Sequence, residues 1–193
     1  MPRAELHEAI SAHGRLTIST HTWRDDYDGL SPAEILALLT EPDETSVNDN
    51  IFCTAGLNQL VSALNWSGIE DQNVNMGSPF TPSFLAPIWG AVGTGSTAVT
   101  SSDTILTTEA ERAYVAAGGT TGGSASNNPA VQWLFLIPVP LVSTVIAEAG
   151  VFVIASAVAG SGLLLDHSLI SPTVTQGTSQ LCTLSASFTW GNG

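Results

Sequence analysis

Glu148 is the one carboxylate inside the long apolar runs of this chain. A lone buried carboxyl has its pKa raised and can serve as a general acid. Two-carboxylate hydrolysis needs a partner acid, and none lies near it in sequence. A residue at a turn, or one hydrogen-bonded at a subunit contact, is the simpler reading. Asp166-His167-Ser168 brings together the residue types of a nucleophilic triad. Neighbours on a strand point to opposite faces, so adjacency does not build one. No Gly-x-Ser-x-Gly turn occurs that would present a serine nucleophile. The trio is expected to mark a strand end.

Three further groups invite a ligand. Gly93-Thr94-Gly95, with Ala98 in the third position, matches the glycine spacing of a dinucleotide fingerprint. No clear helix opens there, no acid stands about 20 residues on at a strand end, and no Lys exists for a phosphate loop, so the segment reads as a turn. His7, His13 and His21 could approach Asp25, Asp26 or Asp28, but their spacings match no metal-ligand pattern. Asp26-Tyr27-Asp28-Gly29 opens like a calcium loop and lacks the later ligands, which leaves a solvated acidic turn. Trp66, Trp89, Trp133 and Trp190 could stack on sugars; large aromatics on strands more often anchor a core or an interface. No catalytic, cofactor-binding or metal-ligating residue is therefore assigned.

The composition narrows the partners. Only 11% of the 193 residues are charged, against about a quarter in a typical soluble domain. There is no Lys; Arg3, Arg15, Arg24 and Arg112 are the only strong bases, and the net charge is −13. Direct nucleic-acid binding needs clustered Arg and Lys, so it is not expected. Ten of the 17 acids lie in residues 1–50, whereas residues 113–193 hold two, Glu148 and Asp166, and no Lys or Arg. A half with so little charge is expected to be covered by other subunits, because large permanent interfaces are poor in charge. Ser, Thr, Gly and Asn offer the competing reading of a neutral wet surface. Cys53 and Cys182 are expected as buried free thiols. Residues 1–5 carry no apolar stretch of a secretory leader. The apolar runs 131–147 and 149–165 are interrupted by Pro or Gly, lack flanking bases and fall short of the roughly 20 residues of a span, so no membrane partner is expected.

The elements that must position these groups are mostly strands. From Cys182 the chain alternates: Cys182, Leu184, Ala186, Phe188 and Trp190 on one face, Thr183, Ser185, Ser187 and Thr189 on the other. Further strands are predicted over 15–23, 84–92, 131–137, 143–154 and 162–169. A helix is predicted over 4–13. Another follows Ser31-Pro32-Ala33-Glu34, a capping box with Pro at the first turn, and ends at Glu41-Pro42. Leu57, Leu60, Val61 and Leu64 give a third over 54–65. Residues 42–50 read as an acidic linker, and 104–116 suits helix and strand alike.

Several segments in order resemble small virion structural proteins of tailed bacteriophages. They are Asn50–Leu60 with its Asn-Ile-Phe-Cys-Thr-Ala-Gly-Leu-Asn-Gln-Leu, then Trp89–Ala98 with Val92-Gly93-Thr94-Gly95, and Asp103–Glu109 with Arg112. Ile146–Phe152, Gly162–Leu165 and Pro172-x-Val174-x-x-Gly177 complete the set. The resemblance spans about residues 48–190; residues 1–47 have no counterpart, and Ala98-Val99 lacks the usual Pro. It implies a β-sandwich that assembles symmetrically on the particle.

The expected fold is mainly β: a jelly-roll-like antiparallel β-sandwich preceded by two short helices, with residues 1–47 as an N-terminal arm and 48–193 as the sandwich domain. The expected role is a non-enzymatic structural component of a tailed phage particle. It would be tail- or baseplate-associated and form a symmetric homo-oligomer, a trimer being one form, in contact with other virion proteins. A capsid decoration protein or a receptor- or glycan-binding tip is the alternative. No cofactor or metal is expected.

Overall fold

The alternation that begins at Cys182 is a strand face. Cys182, Leu184, Ala186 and Phe188 are buried, and Thr183, Ser185 and Ser187 are half-buried. This strand is central to a sheet seen in a computed structural model that describes residues 10–59, 88–121 and 130–192. Its strands are β1 (Ile10–Thr22), β2 (Glu44–Asp49), β3 (Ile51–Phe52), β4 (Trp89–Gly93), β5 (Glu109–Thr121), β6 (Ala130–Ile137), β7 (Thr144–Val153), β8 (Leu163–Gln176) and β9 (Gln180–Asn192). All pairs are antiparallel, in the order β2-β1-β9-β6-β5-β4-β7-β8-β3.

The sheet rolls into a nearly closed barrel of two facing layers. β5 pairs with β4 up to Tyr114 and with β6 from Val115, shifting register between Val115 and Ala117, so it passes from one layer to the other. On the opposite side β2 pairs with β1, and β3, one residue further along, pairs with β8. Between the layers lies the main core: Leu16 and Ile18 of β1, Phe135 and Ile137 of β6, Val151 and Val153 of β7, Leu165 and Val174 of β8, and Leu184 and Phe188 of β9. Each large side chain fully buried there contributes roughly 1.5–3 kcal/mol of transfer free energy.

The layer β4-β7-β8 is covered on its outer face as well. Phe152, Ala91 and Leu164 alternate with core residues and pack with Cys53, Leu106 and Ala155. Residues 148–153 are consequently buried on both faces, which is why β7 reads as a continuous apolar run rather than an alternating one. The cover comes from residues 94–108, which join β4 to β5, and from a helical turn at 54–59. A third cluster seats α1 (Pro32–Leu38) through Ile35 against Tyr27 and Leu181. The predicted capping box is present: Ser31 accepts from the Glu34 amide, and the Glu34 carboxylate accepts from the Ser31 amide at 2.8 Å.

Mainly β holds, and several element assignments change. Residues 10–13, predicted helical, begin β1, because pairing with β9 along its whole length outweighs a weak local helical pattern. The acidic linker is β2, whose backbone pairs with Arg15–Thr20 while its acids face water. The ambiguous 104–116 stretch enters strand β5 at Glu109. β1 and most of β2 precede residue 48 and belong to the same sheet as the strands after it. The boundary expected at residue 47 thus runs through β2. Predictions on residues 4–9, 60–87 and 122–129 lie outside the described residues. No helix among the described residues is long and apolar enough to cross a membrane.

Candidate functional site

Two irregularities aim the chemistry-bearing side chains. The β7–β8 register shifts between Ile146 and Glu148. Ile146 and Ala149, three residues apart, both face the core, and Glu148 turns to the outer face. A second shift, between Val151 and Phe152, places Asp166 opposite core-facing Val151 and His167 opposite Gly150. Asp166 therefore points inward and His167 outward, on the face that carries Glu148.

Glu148 is fully buried and saturated. Its Oε1 accepts from the backbone N–H of Gly95 (3.0 Å) and Thr108 (2.7 Å), and Oε2 faces the N–H of Thr107 (2.9 Å) and His167 Nε2 (3.0 Å). A carboxylate offers about four lone-pair sites, and all four are engaged. His167 Nδ1 lies 2.8 Å from Asp103 Oδ2, and Asp103 also accepts from the Thr100 amide (3.0 Å) and hydroxyl (2.7 Å). The imidazole is thus bracketed by carboxylates from the 94–108 segment and from β7.

The carboxyl electrostatics follow from these contacts. Burial pushes Glu148 up, but the N–H groups of Thr108 and Thr107, then His167 and Gly95, outweigh it and hold the carboxyl below the ordinary glutamate range. Asp103 behaves alike: burial raises it, and Thr100 and His167 bring it below the ordinary aspartate range. Gly93 and Gly95 form the wall of the cradle. A Cβ on Gly93 would lie 2.5 Å from the Thr108 carbonyl oxygen and 2.6 Å from Glu148 Oε1, and one on Gly95 would strike the same carboxylate. The glycine pair that resembles a dinucleotide fingerprint lets backbone close around an internal carboxylate.

A second polar cluster shares the outer face. Arg112 meets Glu109 through Nε and through Nη2 (2.7 Å), and its Nη1 donates to the Ser156 carbonyl (2.9 Å) and Ser161 Oγ (3.1 Å). Its guanidinium lies 4.6 Å from the Phe152 ring centroid, and Glu109 accepts from the Gly160 amide at 2.9 Å. Arg112 and Glu109 together fasten the β7–β8 turn to β5.

The remaining candidates disperse. Ser168 Oγ donates to the Asp49 carbonyl at 2.8 Å, so the three neighbours 166–168 serve three separate contacts. His21 is buried, and burial lowers its pKa; Asp25, Asp26 and Asp28 are exposed, Asp26 pairing with Arg24. His7 and Trp66 lie outside the described residues. No group of three or more His, Cys, Asp or Glu suited to a metal occurs among the described residues. Trp133 is in the core against Phe188, and Trp89 is half-buried against Tyr114. Cys53 and Cys182 are buried free thiols. The residues that complete the Glu148 cluster, namely Asp103, Thr107 and Thr108, escaped sequence reasoning. The available signal was Glu148 itself, an acid in an apolar run that demands donors.

Compared with family models, with curated proteins and with solved structures, the chain matches none of them significantly.

Proposed function

We propose that this chain is a non-enzymatic structural protein that assembles as a symmetric homo-oligomer, acting as a tail- or baseplate-associated component of a tailed bacteriophage particle. One observation carries the assembly reading. Residues 113–193 hold two acids and no Lys or Arg, and both acids, Glu148 and Asp166, are 0% exposed. His167 in the same half is also buried. That half therefore presents no charged side chain to solvent, while the β6–β7 turn exposes Leu141 (99%) and Val142 (75%) with Val145 beside them. A monomer ordinarily covers such a surface with charge; an uncharged one favours permanent contact between copies. The phage assignment rests on the ordered segments of residues 48–190.

The saturation of Glu148 supports an architectural role for the polar cluster. Every acceptor site is taken by the chain's own donors, and these join the 94–108 segment to β7 and β8. The N-terminal segment supplies strands β1 and β2 to the sheet, so the proposed contacts lie elsewhere, around the β6–β7 turn. Proteomic analysis of purified phage particles from a host carrying this sequence tests the placement. The chain is expected as a stoichiometric particle component, and its absence from intact particles would overturn the phage reading.

A further inference from the structure

Asp166 has a different environment from the saturated Glu148. It is 0% exposed, faces the core opposite Val151, and its Oδ2 accepts from the Asn50 side-chain amide. Its other oxygen, Oδ1, has no hydrogen-bond partner, and neither has Asn50 Oδ1; both atoms are buried. Buried acceptors without a partner, on two residues already joined by a hydrogen bond, cost free energy unless a donor serves them. A carboxylic acid supplies that donor itself.

The position matters because Asn50 is the link between β2 and β3, where the ring closes. Its amide donates to the Gly14 carbonyl of β1 at 3.3 Å, and its side chain fills the space a Cβ on Gly14 would need. The closing seam is thin. β3 and β8 share two register pairs, Ile51 with His167 and Phe52 with Asp166. Past Phe52 one backbone bond, from the Cys53 N–H to the Leu165 carbonyl at 2.9 Å, extends the ladder, and on the β2 side side chains replace it: Asn48 Oδ1 accepts from the Ser171 amide at 2.9 Å and Glu44 from the Thr175 amide at 3.0 Å.

We propose that Asp166 is held as the neutral carboxylic acid, its proton shared toward Asn50, and that losing this proton opens the seam between β3 and β8. Ionisation would set a charge in the apolar interior beside two acceptor oxygens. The neighbouring charges give it no relief. His167, Glu148 and Asp103 lie on the opposite face of β8; Arg15 and Asp49, on β1 and β2, are exposed. On the β3 side stands Cys53, its thiol pushed up to about 12 by burial, then by Asp166 and Asp103. Among the described side chains, no cation shares the interior with Asp166. Burial raises the Asp166 carboxyl well above the ordinary range, and Asn50 and the His167 amide offset only part of this. A raised acid stabilises the fold at low pH, and that contribution is lost as pH climbs through the folded value.

Amide hydrogen exchange of the full chain across pH, corrected for the intrinsic rate, tests the device together with a 13Cγ titration of Asp166. Protection at residues 51–53 and 166–168 is expected to fall by up to tenfold per pH unit from the ordinary aspartate range up to the Asp166 midpoint, and to level off above it. In Asp166→Asn, a neutral mimic of the acid, it is expected to stay level. A 13Cγ midpoint in the ordinary aspartate range, or an equal pH slope in Asp166→Asn, would overturn the proposal. The wild-type titration decides the matter even if that variant does not fold.

Discussion

Glu148 is held by three backbone amides and one imidazole, and each donor has a predictable worth. Glu148→Gln turns an acceptor into a donor facing His167 or a backbone N–H. Leaving such a buried group unmatched costs about 1–3 kcal/mol per contact, so a loss of about 2–4 kcal/mol is expected in urea unfolding. Gly95→Ala presses a methyl group into the same carboxylate, and overpacking of this kind costs about 1–3 kcal/mol. The pH sense is fixed as well. Glu148 and Asp103 are held below their ordinary ranges, so their stabilisation is complete above those ranges and is lost as pH falls through the folded values. Thermal unfolding of the wild type should weaken on acidification below about pH 4. His167→Gln should show a shallower acid limb, and an unchanged limb would mean that the bracketing carboxylates do not act through the ring. At this scale the sequence revealed half of the site. Glu148 stood out as an acid among apolar residues, whereas Asp103 and Thr107 lie 40 or more positions away with no local pattern to join them.

Strands are where local pattern and tertiary pairing part company. β9 was legible because one face is buried and the other is not, which writes a period of two into its sequence. β7 was legible as a strand, but its direction of aim was not. A bulge near Ala147 reverses which residues face inward, and nothing in Ile146-Ala147-Glu148 announces it. The two-residue register logic that rejected Asp166-His167-Ser168 as a triad survived, since 166 and 167 do face opposite ways. β1 and β2 were missed in part because their identity is set by partners: residues 10–13 gain hydrogen bonds from β9 that a short isolated helix could not match. It follows that β1 is structural. A chain lacking residues 1–22 is expected to lose its cooperative thermal transition and its β-type circular dichroism; retention of both would contradict its place between β2 and β9. The Arg112 fastening belongs to this scale too. Arg112→Ala leaves Glu109 buried and unpaired, and removing one partner of such a pair costs about 3–5 kcal/mol. Amide exchange should increase first in the 154–162 turn that Arg112 holds.

The whole molecule is divided by charge. Its acids gather in residues 1–50, while the rear half contributes no charged side chain to the surface and leaves Leu141 and Val142 in water. Composition alone disclosed this asymmetry; the structure adds that the two exceptions, Glu148 and Asp166, point into the protein. Apolar side chains exposed at one turn, beside Ser- and Thr-rich strands, suit contact with further copies. Multi-angle light scattering on the purified full chain at micromolar concentration, with Leu141→Asp/Val142→Asp alongside, is the most direct measurement. The expected result is a mass at least twice the 20.0 kDa of one chain for the wild type, reduced in the variant with its circular dichroism unchanged. A clean monomer for the wild type across that concentration range would contradict self-assembly.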